Sequence, residues 1–445
     1  MKKFLIGALY VLLAGCAVSH KPDLWGDLPD MLGGIGAPKT IRAAVLLPLS
    51  GPSGAVGSSF QNAGILAINE YPDSPLELTF FDTQGTAAGA KKAWQEARSY
   101  RPQIILGPIF SAEVAAAQSA SPGSVPMIAF TSDDALMDDR TYTMGLLIPN
   151  QVDRLVEFAC DAGIRKWGVI GPEEHLGEAT MNALAESVRR CPGMEIAKVS
   201  LYHDGIRNFD PFVAKIVPKP LDPKKKDLTD ADREFMALSM PEKTGVDAIF
   251  VFEEGTKLRQ IMSLLAFYDV TPDTLPVYGL STLGQGYDRS FAGAYFPGLS
   301  NVRYPQFYRR YRAAFGAKPV RISSMGYDAV SLLAVLAQHN ALNTENLTNP
   351  QGFNGVDGRF RLDANGKNER LLEMYQVTPN GPLPVSPAPD EYVSRAVLFA
   401  APDPLAAAPS EQADSASASP PMSDTPDSAA AAPSDSEQPE QPPLD

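Results

Sequence analysis

The chain has 445 residues, room for two or three domains. Its formal net charge of -14 lacks the basic footprint of a general nucleic-acid binder, and its 44% hydrophobic content is ordinary for a globular protein. Many of its 40 prolines lie toward the C-terminus, so the folded part is shorter than the chain.

Lys2-Lys3 precede an apolar run from Phe4 to Leu13, which ends in Leu13-Ala14-Gly15-Cys16. A charged start, a short apolar run and small residues at the cut predict a secretory signal over 1–15, too short to span a bilayer comfortably. The tetrapeptide resembles the lipobox of bacterial lipoproteins, which implies lipidation of Cys16 and a membrane anchor. Several acyl chains hold a protein durably, each buried CH₂ contributing roughly 0.8 kcal/mol. Ala17 stands where an Asp would resemble an inner-membrane retention signal. That resemblance favours the periplasmic face of the outer membrane. Residues 16–40 are polar and turn-rich and read as the lipidated tether.

Ile41–Leu49 is apolar apart from Arg42 and is expected to be a buried strand. A glycine-rich turn, Ser50-Gly-Pro-Ser-Gly-Ala-Val-Gly57, leads to a helix from about 58 to 69. Leu76–Asp82 is the next strand and Ala87–Tyr100 the next helix. Then comes a βαβ unit over 102–134. Its first strand, Ile104-Ile-Leu106, stops at Gly107-Pro108. An alanine-rich helix begins near Ser111. Its second strand, Met127-Ile-Ala129, runs into Phe130 and stops at Thr131-Ser132-Asp133-Asp134. After Tyr142–Leu147 the pattern repeats with helix 151–162, strand 167–170, helix 178–190 and strand 194–201. Residues 218–243 interrupt it with a charged excursion carrying a short helix, Asp230–Leu238. Strand Ala248–Phe252, helix Thr256–Tyr268 and strand Val277–Gly279 follow. Helices over 305–315 and 324–338 come next. Gly352–Leu362 and Leu372–Thr378 read as a hairpin around Asp363-Ala-Asn-Gly366. Residues 386–445 are rich in Pro, Ala, Ser and acidic residues and are expected to be a disordered tail.

Two alternating blocks of similar size predict an α/β architecture of two doubly wound parallel-sheet lobes. In such sheets the carboxyl ends of the strands form the ligand crevice, which singles out Ser50, Ser111, Thr131, Ser132 and Asp133. The plainer reading of these residues is that Ser111 caps its helix and Thr131–Asp134 turn the chain. The glycines after Ser50 fit an anion held on helix N–H groups or simply a tight turn, and no Gly-Lys-Ser/Thr ending marks a P-loop. Cys160 and Cys191 each end a predicted helix, with one strand between them. In an oxidising compartment they form a disulfide or remain two small buried thiols. His20, His175, His203 and His339 have no metal-ligand spacing, and no cofactor motif is present. Glu173-Glu174-His175 reads as an exposed loop before a helix. The aromatic set from Tyr304 to Phe315 has helical spacing and reads as core or lobe interface.

Several motifs fall in the order seen in type I periplasmic binding proteins, the group of leucine-binding-protein-like receptors. They are Val45-Leu-Leu-Pro-Leu-Ser-Gly51, Leu106-Gly-Pro-Ile-Phe-Ser111, Val125-Pro-Met-Ile-Ala129, Gly326-Tyr-Asp-Ala-Val330 and Gly355-Val-Asp-Gly-Arg-Phe360. The resemblance implies two lobes joined by three crossovers, with lobe 1 over 41–148 plus 300–350 and lobe 2 over 149–299 plus 351–380. Within that group the chain resembles most the penicillin-binding-protein activator lipoproteins, through its lipobox and through Val246–Val251, Pro276–Ser281 and Gly298. That implies a non-catalytic regulator of peptidoglycan synthesis, with a penicillin-binding protein as partner. The alternative implied is a solute-binding lipoprotein of an ABC importer, carrying an amino acid or similar small molecule. Receptors of that kind hold the ligand carboxylate on lobe 1 hydroxyls and N–H groups, and the amine on a lobe 2 acid. Ser111 matches the first hydroxyl. Asp133 appears at a second hydroxyl position, where it would repel a carboxylate, unless the register moves that role to Thr131 or Ser132. Glu253 and Glu254 end a lobe 2 strand and match the acid. No enzyme chemistry, metal site or cofactor is expected.

Overall fold

The computed structural model describes residues 39–392, apart from 122–124, 175, 225 and 285–287. The signal peptide, Cys16, His20, nearly all of the tether, and residues 393–445 of the tail therefore lie outside the described residues, as does His175. The chain forms two compact units, one running to Asn150 and resuming over Leu299–Leu371, the other Gln151–Gly298 and from Leu372 onward. It passes between them at three points, after Asn150, Gly298 and Leu371.

The first unit is built on five parallel strands in the order β2-β1-β3-β4-β5: β1 Ile41–Leu47, β2 Leu76–Asp82, β3 Ile104–Leu106, β4 Met127–Ala129 and β5 Thr141–Thr143. Central strands buried on both faces are largely apolar, which is why Ile41–Leu47, apart from the half-buried Arg42, reads as one run. Alternate residues serve opposite faces. Val45 and Leu106 join Phe60, Ala63 and Ala67 of helix α1 (Gly54–Asn69). Leu46 and Ile105 join Trp94 of α2 (Ala87–Ala97) and Val114 of α3 (Ser111–Ala120). These are the two helical layers of a doubly wound sheet. Helix α1 starts at Gly54, four residues before the expected 58.

The second unit repeats that strand order as β7-β6-β8-β9-β10 and then adds two antiparallel strands, β14 and β15. Its parallel part is β6 Lys166–Pro172, β7 Glu195–Tyr202, β8 Ala248–Val251, β9 Val277–Gly279 and β10 Tyr295–Gly298. The connecting helices are α4 (Ile148–Asp161), α5 (Leu176–Ser187), α6 (Asp210–Ile216), α7 (Asp230–Ala237), α8 (Met240–Thr244) and α9 (Gly255–Phe267). Cys160 at the end of α4 is bonded to Cys191, Cα–Cα 6.0 Å.

Helices α10 (Tyr304–Phe315) and α11 (Ser324–Gln338) return to the first unit. The aromatic residues Tyr304, Phe307 and Tyr311 of α10 are buried in its core, and α11 is buried along its whole length as far as Ala337. A short helix, α12 (Thr344–Leu347), follows.

Two expectations about the C-terminal part are corrected. The hairpin around Asp363–Gly366 joins β12 (Gly358–Leu362) to β13 (Asn368–Arg370), with β11 (Phe353–Gly355) beside β12; the strand over 372–378 is not its partner. That strand, β14 (Glu373–Thr378), pairs with β10 and with β15 (Gly381–Ser386), which ends where the tail is expected to begin. Arg154 of α4 fixes this end, donating to Leu372 O at 2.9 Å and Pro387 O at 3.0 Å. Residues 351–371 also group with the first unit and not with 149–299. The reason is their packing. Asp328 of α11 accepts the Val356 N–H at 2.9 Å. Arg321 meets Asp357 at 2.5 Å. Asn368 donates to Thr143 O and Gly145 O at 2.9 and 2.7 Å, and Phe353 and Phe360 lie in the first unit's core.

Candidate functional site

In a 2-1-3-4-5 sheet the connections leave β1 and β3 in opposite directions, and the gap beyond their carboxyl ends is open to a ligand. In the first unit that switch point lies after Leu47 and Leu106. Gly107 takes φ +84, and a Cβ there would stand 2.2 Å from Leu46 O, so only glycine lets β3 turn out at this place. The chain then enters α3 at Ser111.

Ser111 and Thr131 come together across β3 and β4, with their hydroxyl oxygens 3.0 Å apart. Thr131 is buried and its Oγ1 accepts the Asp133 N–H at 3.1 Å. Either hydroxyl can donate in this pair; when Thr131 donates, the Ser111 proton is left for another acceptor. Ser111 is also the first residue of a ten-residue helix, whose first-turn N–H groups carry partial positive charge. The arrangement is a set of donors suited to an anion. Gly145 packs behind it, where a Cβ would lie 1.9 Å from Thr131 O.

The other first-unit residues singled out in the sequence do different things. The Asp133 carboxylate turns back on its own loop and accepts the Ala135 N–H at 3.2 Å. Asp134 is paired with Lys367 at 2.6 Å, and Ser132 is exposed. Ser50 lies past β1 and donates to Asp82 Oδ2 at 2.6 Å. Asp82 also accepts the N–H groups of Leu49, Ser50 and Gln84. Partial desolvation works to raise the pKa of Asp82, but these donors outweigh it and hold it below the usual carboxylate range. Ser50 thus belongs to a loop brace and is not part of the Ser111–Thr131 pair.

Sequence reasoning missed Asp82 and, beneath the pair, Thr83 and Glu113. Both Thr83 and Glu113 are fully buried. The Thr83 hydroxyl donates to Glu113 Oε1, and the Phe110 N–H donates to Glu113 Oε2 at 3.3 Å. Burial raises the Glu113 pKa against the pull of these donors, and nearby Asp82 adds to the rise. The available signal was a Glu three residues after a helix N-cap position, the spacing of a capping box.

In the second unit the equivalent switch point lies after β6 and β8. Glu253 is 6% exposed there. Its Oε2 accepts the Tyr202 hydroxyl at 2.6 Å, its Oε1 accepts the Glu254 N–H at 3.0 Å, and its carbonyl accepts the Thr282 hydroxyl at 2.9 Å. Burial and the Glu253 carboxylate together push the Tyr202 phenol far above its ordinary value, so this hydroxyl stays a donor. Glu254 is exposed and precedes α9 without capping it by its side chain. Around Glu253 the strand ends carry Glu173 and Glu174, which face His203 at 3.0 and 3.6 Å, and Asp204, which holds Lys257 at 2.8 Å. His339 lies elsewhere, at the end of α11. Among the described residues no group of three or more His, Cys, Asp or Glu is placed to hold a metal ion. Also among them, no helix is long and apolar enough to cross a membrane.

A family model described as "Periplasmic binding protein" matches residues 40–382. A structure of a putative branched-chain amino acid ABC transporter from Rhodospirillum rubrum superposes with a TM-score of 0.62 at 17% identity, covering 78% of this chain and 100% of that one. The substrate-binding protein LivJ of a branched-chain amino acid transporter of Streptococcus pneumoniae, solved with isoleucine, superposes with a TM-score of 0.53 at 20% identity, again over 78% and 100%. An uncharacterized protein of Rickettsia prowazekii is 23% identical over 124 residues, 28% of this chain. The match spans 33% of that relative's length.

Proposed function

The chain belongs to the periplasmic binding protein family, and from that premise we propose that it is a non-catalytic, extracytoplasmic solute-binding protein whose first unit receives the carboxylate of an amino acid or a related small acid. The observation that carries this reading is the Ser111–Thr131 hydroxyl pair, 3.0 Å apart, at the N-terminus of α3 and at the switch point of the sheet. A carboxylate there can accept the Ser111 proton, with Thr131 donating to Ser111 Oγ, and can accept helix N–H groups, each charge-assisted bond contributing about 1.5–3 kcal/mol. The Asp133 carboxylate turns back on its own loop, accepting the Ala135 N–H. The isoleucine held by the Streptococcus pneumoniae protein belongs to the same class of ligand.

A second reading is supported by Leu13-Ala14-Gly15-Cys16. Lipidated on Cys16 at the periplasmic face of the outer membrane, the same domain would regulate peptidoglycan synthesis with a penicillin-binding protein as partner, instead of feeding an importer. One experiment separates the two. The protein is crosslinked in its own cells and purified, and its small molecules and its partners are identified by mass spectrometry. The solute-binding reading expects a stoichiometric small acid. A crosslinked synthase with no bound small molecule would reject it in favour of the regulator.

A further inference from the structure

Glu113 has no part in the donor set just described, yet it lies directly under it. It is fully buried on the third residue of α3, two residues from Ser111. Its two oxygens bind different elements, Thr83 at the end of β2 and the Phe110 N–H at the start of α3. We infer that Glu113 is a positioning residue for the Ser111 face: its carboxyl ties the Phe110–Ser111 turn to the end of β2, and it carries a proton when an anionic solute is held there. This rests on the reading of that face as a carboxylate site.

A neutral Glu113 donates its proton to Thr83 Oγ1 and still accepts the Phe110 N–H, so both ties survive protonation. An ionised Glu113 keeps the ties but places a negative charge beneath an incoming carboxylate, and it offsets the partial positive charge of the helix N-terminus. The charges around it give no compensation. Asp82, from the end of β2, acts on it with the same sign. Lys91, Lys92 and Glu96 of the neighbouring α2 are exposed. In the loop beyond β4, Asp133 is bound to its own turn and Asp134 to Lys367. Binding an anion therefore favours uptake of a proton, and by linkage affinity falls as pH rises.

The test uses the full chain, its E113Q variant and L-isoleucine as probe, titrated by calorimetry between about pH 5 and about pH 7.5, together with thermal unfolding without probe over the same range. Gln keeps a donor and an acceptor at the site but cannot ionise. The expected result is an affinity that drops about tenfold across the range in the natural protein and stays level in E113Q. Without probe, the natural protein loses stability relative to E113Q as pH rises above about 4.5, because a carboxyl whose folded-state value is raised stabilises only while protonated. Parallel affinity profiles, or a stability gap that does not change with pH, would overturn the inference. A changing stability gap with no binding of any probe would instead reject the carboxylate-site reading, and with it the ligand linkage.

Discussion

The bond between Cys160 and Cys191 closes a loop over a sequence separation of 31 within the second unit. For a loop of this size the chain-entropy relation gives about 12 cal/mol/K, which is about 3–4 kcal/mol at room temperature. In the folded unit the same corner is also held by Arg190 against Asp153 at 2.8 Å, and by Arg165 donating to Cys160 O at 2.9 Å. Both survive loss of the bond, so the effect of a C160A/C191A pair is assigned mainly to the unfolded chain. Cys191 is buried, and trimming its sulfur adds about 1 kcal/mol at most. The assay is amide hydrogen exchange read on peptides from β6 and β7, whose slowest amides report unfolding of the second unit. A loss of about 3–4 kcal/mol accelerates them about 10²–10³-fold. An acceleration below about tenfold would refute the reasoning, and would mean that the unfolded loop is already restricted.

Other consequences can be checked alongside. Asp328 is buried on α11, and burial with Asp357 beside it pushes its carboxyl up to about 8, with Arg370 pulling the other way. Its folded-state value is raised, so its stabilising contribution is complete below about pH 4 and is lost as pH rises through about 8; relative to D328N the natural protein should lose about 2–5 kcal/mol over that span in urea unfolding. Gly107→Ala places a Cβ 2.2 Å from Leu46 O at a positive φ, and should lower stability by about 2–4 kcal/mol with the melting temperature as readout. Tyr202→Phe leaves one oxygen of the buried Glu253 without its donor, and should cost about 1–3 kcal/mol in urea unfolding.

The two lobes were legible because the central strands of their sheets are parallel and covered on both faces, so each is a largely apolar run between helices. Ser111 and Thr131 were legible for a related reason, since they are the first hydroxyl residues after two such runs. The pairing between them was not, because it depends on which strand ends become neighbours. Asp133 shows the same limit: a carboxylate beside a hydroxyl looks like a ligand contact or a repulsive one, and only its bond to the Ala135 N–H gives it to the turn. Glu113 was overlooked because nothing local marks a glutamate on an alanine-rich helix as buried; β2 and its Thr83 bury it. At the C-terminus the Asn365-Gly366 turn was readable, but its second strand was not. Three short strands and a long one compete there, and long-range pairing of β14 with β10 decides the outcome. β15 was not expected as a strand; its Pro382 and Pro384 are compatible with one because it lies at the sheet edge.

The most direct measurement of the central claim is calorimetric titration of L-isoleucine, and of a panel of other amino acids and small organic acids, into the full chain and into its Thr131→Ala variant. Removing that hydroxyl takes away the hydrogen-bond partner of the Ser111 hydroxyl. Saturable binding of at least one carboxylate-bearing solute is predicted, weakened about 10–100-fold in the variant at temperatures where both proteins are folded. Equal affinity in both proteins, or no binding across the panel, would contradict it.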